Sequence, residues 1–337
     1  MVFRTFSLIL FLTIADIGTA IAQTNLNKTA QSTMNFLLVG TSSKAAAMGE
    51  AFVTTGTGSE SVFYNPAGLA IVDKTFDINL NYTEWIADIN YISGAVGWSM
   101  SEFGVLGLQL LTVDYGDIIG TSLISPSESN LYPQGYKDNG VISNVGAYII
   151  GLTYSKLITQ EFSLGLTMKY VGQNLGQNTF NNGTIDNDAS IFAFDAGVRY
   201  QTGFNGFAFG MYLRNFSTNL EREEIEEQLP LVFSFGASIN FLEMIVEKKS
   251  DDNSLIFEID FLHQNNYSER INMGLEYQFL KMFFIRGGYQ TNRDLASWSG
   301  GLGFKTELSD YEIGFNYSYS SFEIFNSVNR LSLNFLF

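Results

Sequence analysis

The chain has no cysteine, which excludes disulfide scaffolds and cysteine-ligated zinc. Its single histidine, His263, leaves no second imidazole for a metal cluster and weakens any Ser-His-Asp reading. Cations are scarce: 18 Lys and Arg stand against 34 Asp and Glu, for a formal charge of −16 and a pI near 4.4. Such a surface repels phosphates, so no nucleic-acid partner is expected. Beyond the amino-terminus no 18 consecutive apolar residues occur, which excludes a bundle of membrane-spanning helices. Disorder is excluded by what is abundant: 46% hydrophobic residues, with 30 Phe, 17 Tyr and 3 Trp.

The one long apolar stretch opens the chain. Arg4 precedes Phe6 to Ile14, and Ala20-Ile21-Ala22 forms a small-residue cleavage pattern. Residues 1–22 therefore read as a secretory signal peptide. An exported chain follows, consisting of a segment at 23–74 and a second region at 75–337.

In 75–337 the dominant period is two. Phe76, Ile78, Leu80 and Tyr82 alternate with Asp77, Asn79, Asn81 and Thr83, and Tyr311, Ile313, Phe315, Tyr317 and Tyr319 alternate with Glu312, Gly314, Asn316 and Ser318. That is a strand pattern. About fourteen such segments occur, most of them ~10–13 residues long, where strands of soluble domains average about 5–6 and a tilted membrane-spanning strand needs about 9–11. The expected fold is all-β: a transmembrane antiparallel barrel of about fourteen strands. Connections after even-numbered strands are mostly short, whereas 115–141, 174–189 and 217–229 follow odd-numbered ones. This asymmetry places the long loops outside and both chain ends in the periplasm of a bacterial outer membrane. Lipid of that membrane is then a partner.

The face opposite the aromatics carries Asp77, Lys169, Asp195, Arg199, Arg214, Glu258, Asp260, Glu276, Arg286, Lys305 and Glu312. A Lys or Arg facing lipid at midplane costs about 2–4 kcal/mol, so all eleven are expected to face the lumen. They either pair as a structural lattice or line a path. The carboxy-terminal Leu331, Leu333, Phe335 and Phe337 alternate to an aromatic end. This resembles the signal by which the barrel assembly machinery recognises its clients, with Leu333, Phe335 and Phe337 as the carriers.

Residues 23–74 do not alternate and are too polar to span lipid. Thr24 to Thr33 reads as a flexible periplasmic leader. Three alanines make a helical turn stopped at Met48-Gly49, where glycine suits a left-handed cap. Asn65-Pro66 predicts an Asx turn followed by a helical start at Pro66, with Ala67 and with Gly68 permitting close approach. Irregular backbone at membrane depth must be buried in protein, so the segment is expected to plug the lumen, bonded to inward groups such as Arg199, Arg214, Glu258 and Asp260.

FLLVGTSSKAAAMGEAFVTTGTGSESVFYNPAGLA, residues 36–70, resembles the amino-terminal signature of PorV/PorQ-type outer-membrane proteins, relatives of the FadL fatty-acid channels. The resemblance implies a hatch built on Asn65, Pro66, Ala67, Gly68, Met48 and Gly49. Lys44 stands where an arginine is common, and Glu60 stands alone where an acidic pair is usual. It further implies a non-enzymatic role in type IX secretion, with secretion-system components or secreted cargo as partners. The alternative is a hatch-gated uptake channel for long-chain fatty acids or other hydrophobic small molecules.

The remaining motifs carry little chemistry. Glu221 to Gln228 reads as a solvated acidic loop. Asp186-Asn187-Asp188 lacks the full calcium-loop pattern and reads as a turn. Gly300-Gly301-Leu302-Gly303 sits within a strand and is expected to make room for the plug. His263 reads as a loop polar group, and Trp85, Trp98 and Trp298 read as girdle residues. No serine sits in a nucleophile elbow, no catalytic residue or metal site is assigned, and no cofactor is expected.

Overall fold

The structure, a computed structural model, describes residues 32–337 apart from 73, 143–144, 181–182, 223–224, 246–251, 294–296, 323–324 and 326. The signal peptide and most of the leader lie outside the described residues. Fourteen antiparallel strands close into one barrel. In chain order they are β1 Phe76–Glu84, β2 Asn90–Ser99, β3 Val105–Asp114, β4 Val145–Leu157, β5 Phe162–Phe180, β6 Gly183–Gln201 and β7 Ala208–Phe216. The second half is β8 Val232–Asn240, β9 Ser254–Gln264, β10 Tyr267–Phe279, β11 Phe283–Gln290, β12 Trp298–Leu308, β13 Tyr311–Ser321 and β14 Ser327–Leu336.

Each barrel strand pairs with its neighbours in sequence, and β14 returns to β1 with Leu80 opposite Leu333. The closure is fastened at its periplasmic end: Phe76 N donates to Phe337 O at 2.8 Å and Phe337 N to Phe76 O at 3.0 Å. Their rings stack at 5.3 Å. Burial follows the period of two, as in β3, where Leu108 and Leu110 face lipid while Gln109, Leu111 and Val113 are buried. With no edge left open, every wall strand satisfies its ladder within the barrel, which a bilayer requires.

β5 and β6 run 19 residues each, so the stretch 174–189 expected as a loop is largely a hairpin standing beyond the membrane. The other two outer connections carry small hairpins, Ile119–Leu123 with Tyr136–Val141 and Leu220–Arg222 with Ile225–Glu227. Trp98 and Trp298 are exposed on the outer surface. Trp85 departs from the girdle expectation. It follows β1 and turns inward, edge-on to Tyr91 and Phe322, because apolar neighbours at the outer mouth bury its ring.

Candidate functional site

Residues 32–72 occupy the lumen. The chain starts at the outer mouth, where Thr33 N donates to Gln228 O at 3.0 Å and Asn266 Nδ2 donates to Ser32 Oγ at 2.7 Å. The leader therefore reaches its last residues at the end bearing the long loops, not at the periplasmic end. Met34, Phe36 and Leu37 hold it there by packing on Leu111, Val113 and Ile149 of the wall.

Below lies α1, Ser43–Ala47. Ser42 caps it by accepting from Ala45 N at 3.2 Å, and Gly49 ends it with a φ of +64°. This turn lies against β11 to β14. Glycine makes that approach possible: a Cβ on Gly288 would stand 1.9 Å from Gly49 N, and one on Gly301 would stand 2.5 Å from the Ala47 Cβ. The Gly300–Gly303 run is thus the socket of the plug, through Gly301. Met48 is fully buried beside Gly274.

The descent from Phe52 to Thr55 is held by two buried carboxylates. Asp260 Oδ2 accepts from Phe52 N at 2.7 Å and Val53 N at 3.1 Å. Glu258 accepts from Thr54 N at 2.6 Å, Thr54 Oγ1 at 2.8 Å and Thr55 N at 3.1 Å. Arg199 Nε donates to Thr54 O at 2.7 Å, and Arg214 donates to Phe63 O. Asp77 accepts from Ser59 N and Oγ at 3.0 and 2.6 Å. These wall charges therefore serve as backbone partners for a segment with no ladder of its own.

The other six expected lumenal charges pair among themselves. Lys169 meets Asp195 at 2.7 Å, Arg286 meets Glu276 at 2.5 Å, and Lys305 meets Glu312 at 2.6 Å. Lys44 stands 3.9 Å from Glu60, both within the plug.

The Asn-Pro element forms the turn its sequence implies. Asn65 caps a short 3-10 turn, Pro66–Ala70, and its Oδ1 accepts from Ala67 N at 3.1 Å. Its Nδ2 also donates to Val53 O at 2.9 Å and to Val198 O of the wall at 3.1 Å. Ala67 and Gly68 are buried with it, and the Pro66 backbone lies where a Cβ on Gly165 would stand. Asn65 therefore ties the plug to itself and to β6.

Sequence reasoning missed Arg330. It is buried, donates from Nε to Gly40 O at 2.9 Å and lies over the Trp85 ring at 5.4 Å. Its alternation with Leu331 and Leu333 was the available signal. His263 is exposed, 3.4 Å from Glu269.

The plug divides the lumen. An outer vestibule of about 620 Å³ and a periplasmic one of about 600 Å³ lie at its two ends. The cavities described between them hold only about 30 and 20 Å³, room for a water or two.

A sequence model of the family described as type IX secretion system membrane protein PorP/SprF matches residues 135–332, more than half of the chain. The chain belongs to the PorP/SprF family. The finer resemblance to PorV/PorQ-type proteins is not confirmed, although both share the link to type IX secretion. No curated protein sequence matches. Among solved structures, the toluene transporter TodX of Pseudomonas putida aligns over 88% of this chain and 97% of its own, at 12% identity and a TM-score of 0.52. The toluene transporter TbuX of Ralstonia pickettii aligns over 86% and 96%, at 12% identity and 0.50. The monoaromatic hydrocarbon channel CymD gives 88% and 97%, at 11% identity and 0.52. At these identities the likeness is one of fold, an outer-membrane barrel, and the PorP/SprF match is what places the chain in a family.

Proposed function

We propose that this PorP/SprF member is a non-enzymatic outer-membrane component of type IX secretion that holds or shuttles secreted cargo at the cell surface through its outer loops. The finer assignment, PorV/PorQ-like surface attachment, is part of the same proposal. Its partners are then outer-membrane lipid, the barrel assembly machinery, secretion-system components and cargo proteins. The observation that carries the reading is the plug, which Glu258, Asp260, Arg199 and Arg214 tie to the wall by its backbone. A lumen held shut at several points suits a platform better than an open pore. The shared fold of the toluene transporters TodX and TbuX favours a second reading: a channel for hydrophobic molecules whose plug moves.

One pair of measurements separates them. A Glu258→Gln/Asp260→Asn double variant keeps side-chain size but weakens the charge-assisted bonds to residues 52–55. Under the secretion reading it changes cargo release or partner binding and leaves uptake of long-chain fatty acid and of toluene at background. Single-channel conductance or uptake rising with cargo release unchanged overturns the secretion reading.

A further inference from the structure

The connection after β3 carries a two-stranded hairpin, Ile119–Leu123 against Tyr136–Val141, that no third described strand joins. A lone hairpin is marginally stable in water, and a third strand with an apolar face is what gives a small sheet independent stability. The apolar face is already present. Register sets Ile119 opposite Val141 and Leu123 opposite Tyr136, and directly opposed residues share a face. All four are exposed, Leu123 at 93%, and Leu131 in the tip is 76% exposed. Single apolar residues on a surface need no account, whereas a contiguous apolar face marks an interaction site.

The two edges of the hairpin differ. The Tyr136–Val141 strand holds one extra residue between Asp138 and Val141, Gly140 has a φ of +82°, and Lys137 and Asp138 put charge on it. Bulges and charges are the devices that blunt an edge against further pairing. The other strand, Ile-Gly-Thr-Ser-Leu, has no charge, no proline and no extra residue. Its outward backbone N–H and C=O groups are an unblunted template for one more strand.

Charge selects the kind of strand. Connections 115–141, 174–189 and 217–229 hold ten acidic residues against Lys137 and Arg222. Asp117 precedes the open strand and Glu128 follows it. A second copy of this chain or a phosphate-bearing membrane surface brings like charge into that field and is repelled, whereas a basic partner is steered in. We infer that residues 119–123 are a strand-addition site for an extended segment of a secreted protein. Alternate apolar side chains of that segment continue the Leu123–Tyr136 face, and Lys or Arg stand at its ends. That the partner is secreted rests on the function proposed above; the open edge does not.

The test is fluorescence-anisotropy titration of the purified full-length barrel with dye-labelled N-acetyl-Lys-Val-Thr-Val-Thr-Val-Lys-amide. One comparison peptide has Glu in place of both Lys. The other is N-methylated at every Val and Thr and can donate no ladder bond. The expected result is that the first peptide binds at least about tenfold more tightly than either. Its binding should weaken between about 20 and about 200 mM NaCl as the acidic field is screened. Leu123→Lys, at a side chain almost free of neighbours, should abolish it, while the same change at Ile225 of the other hairpin, 65% exposed, should leave it. Equal binding of the N-methylated peptide, or no binding at millimolar probe, overturns the proposal. Barrel dimers that Leu123→Lys disperses also overturn it, by giving the edge to a second copy. If the probe fails while the Glu258→Gln/Asp260→Asn variant still alters cargo release, the strand edge alone is lost. If the probe binds and that variant instead conducts, the edge stands and the secretion reading is lost.

Discussion

Glu258 shows how much can rest on one side chain. It is fully buried, and it accepts three bonds from the plug. Bonds to a charged acceptor contribute about 1.5–3 kcal/mol each when the partners would otherwise be unmet. Glu258→Ala should therefore loosen residues 50–57 while leaving the wall closed. The check is amide hydrogen exchange, with faster exchange expected at Thr54 and Thr55 and unchanged protection in β9. Asn65 makes the same point for an uncharged group. Asn65→Ala leaves Val53 O and Val198 O without their donor, at about 1–3 kcal/mol each. Asn65→Ala should expose the Pro66–Ala70 turn to limited proteolysis, and Asn65→Asp, which keeps the cap but cannot donate, should fall between it and the native chain.

At the scale of elements, the socket for α1 depends on side chains that are missing. Gly288 and Gly301 let the turn lie on the wall, and a Cβ at 288 would stand 1.9 Å from Gly49 N. Gly288→Val should expel or shift α1 without opening the β11–β12 pairing, because the added methyls point into the lumen. The measurable outcome is exposure of position 43, buried against Ser332 in the native fold, read as maleimide reactivity of a cysteine placed at Ser43 that appears only when Gly288→Val is added. β14 supplies the second element-scale expectation. Its outward Leu331, Leu333 and Phe337 and the Phe76–Phe337 stack close the barrel at the periplasmic end. Phe337→Ala should lower the outer-membrane level of heat-modifiable barrel several-fold, measured in membrane fractions. Unchanged levels would remove the assembly role assigned to that end.

For the molecule as a whole, topology is the testable quantity. The hairpins in the connections after β3 and β7 and the extended β5–β6 hairpin all follow odd-numbered strands, so that end faces outward. The absence of cysteine makes the check clean. A cysteine at Ser129, in the connection after β3, should react with an impermeant maleimide on intact cells. One at Asp310, between β12 and β13, should react only after the outer membrane is permeabilised. Ser32 bonds at the outer mouth, so the chain descends through the whole lumen before entering β1 from the periplasmic end.

The amino-acid sequence by itself determined the wall. Period-two alternation is local, since a strand needs only its own residues to show which face meets lipid. Fourteen segments, the inward placement of all eleven charges and the loop asymmetry follow from that one rule. It also marked the Asn65-Pro66 turn and the Gly49 cap, whose conformations are set by one or two residues. Only the tertiary structure decided which charges pair and which bind the plug, because Lys169 and Asp195 meet across neighbouring strands while Glu258 bonds a segment some 200 positions away. The position of Ser32 at the outer mouth and the inward turn of Trp85 were equally hidden. Each depends on closure, which brings β14 beside β1 and lets an irregular segment choose partners from every strand at once. No local period records that choice.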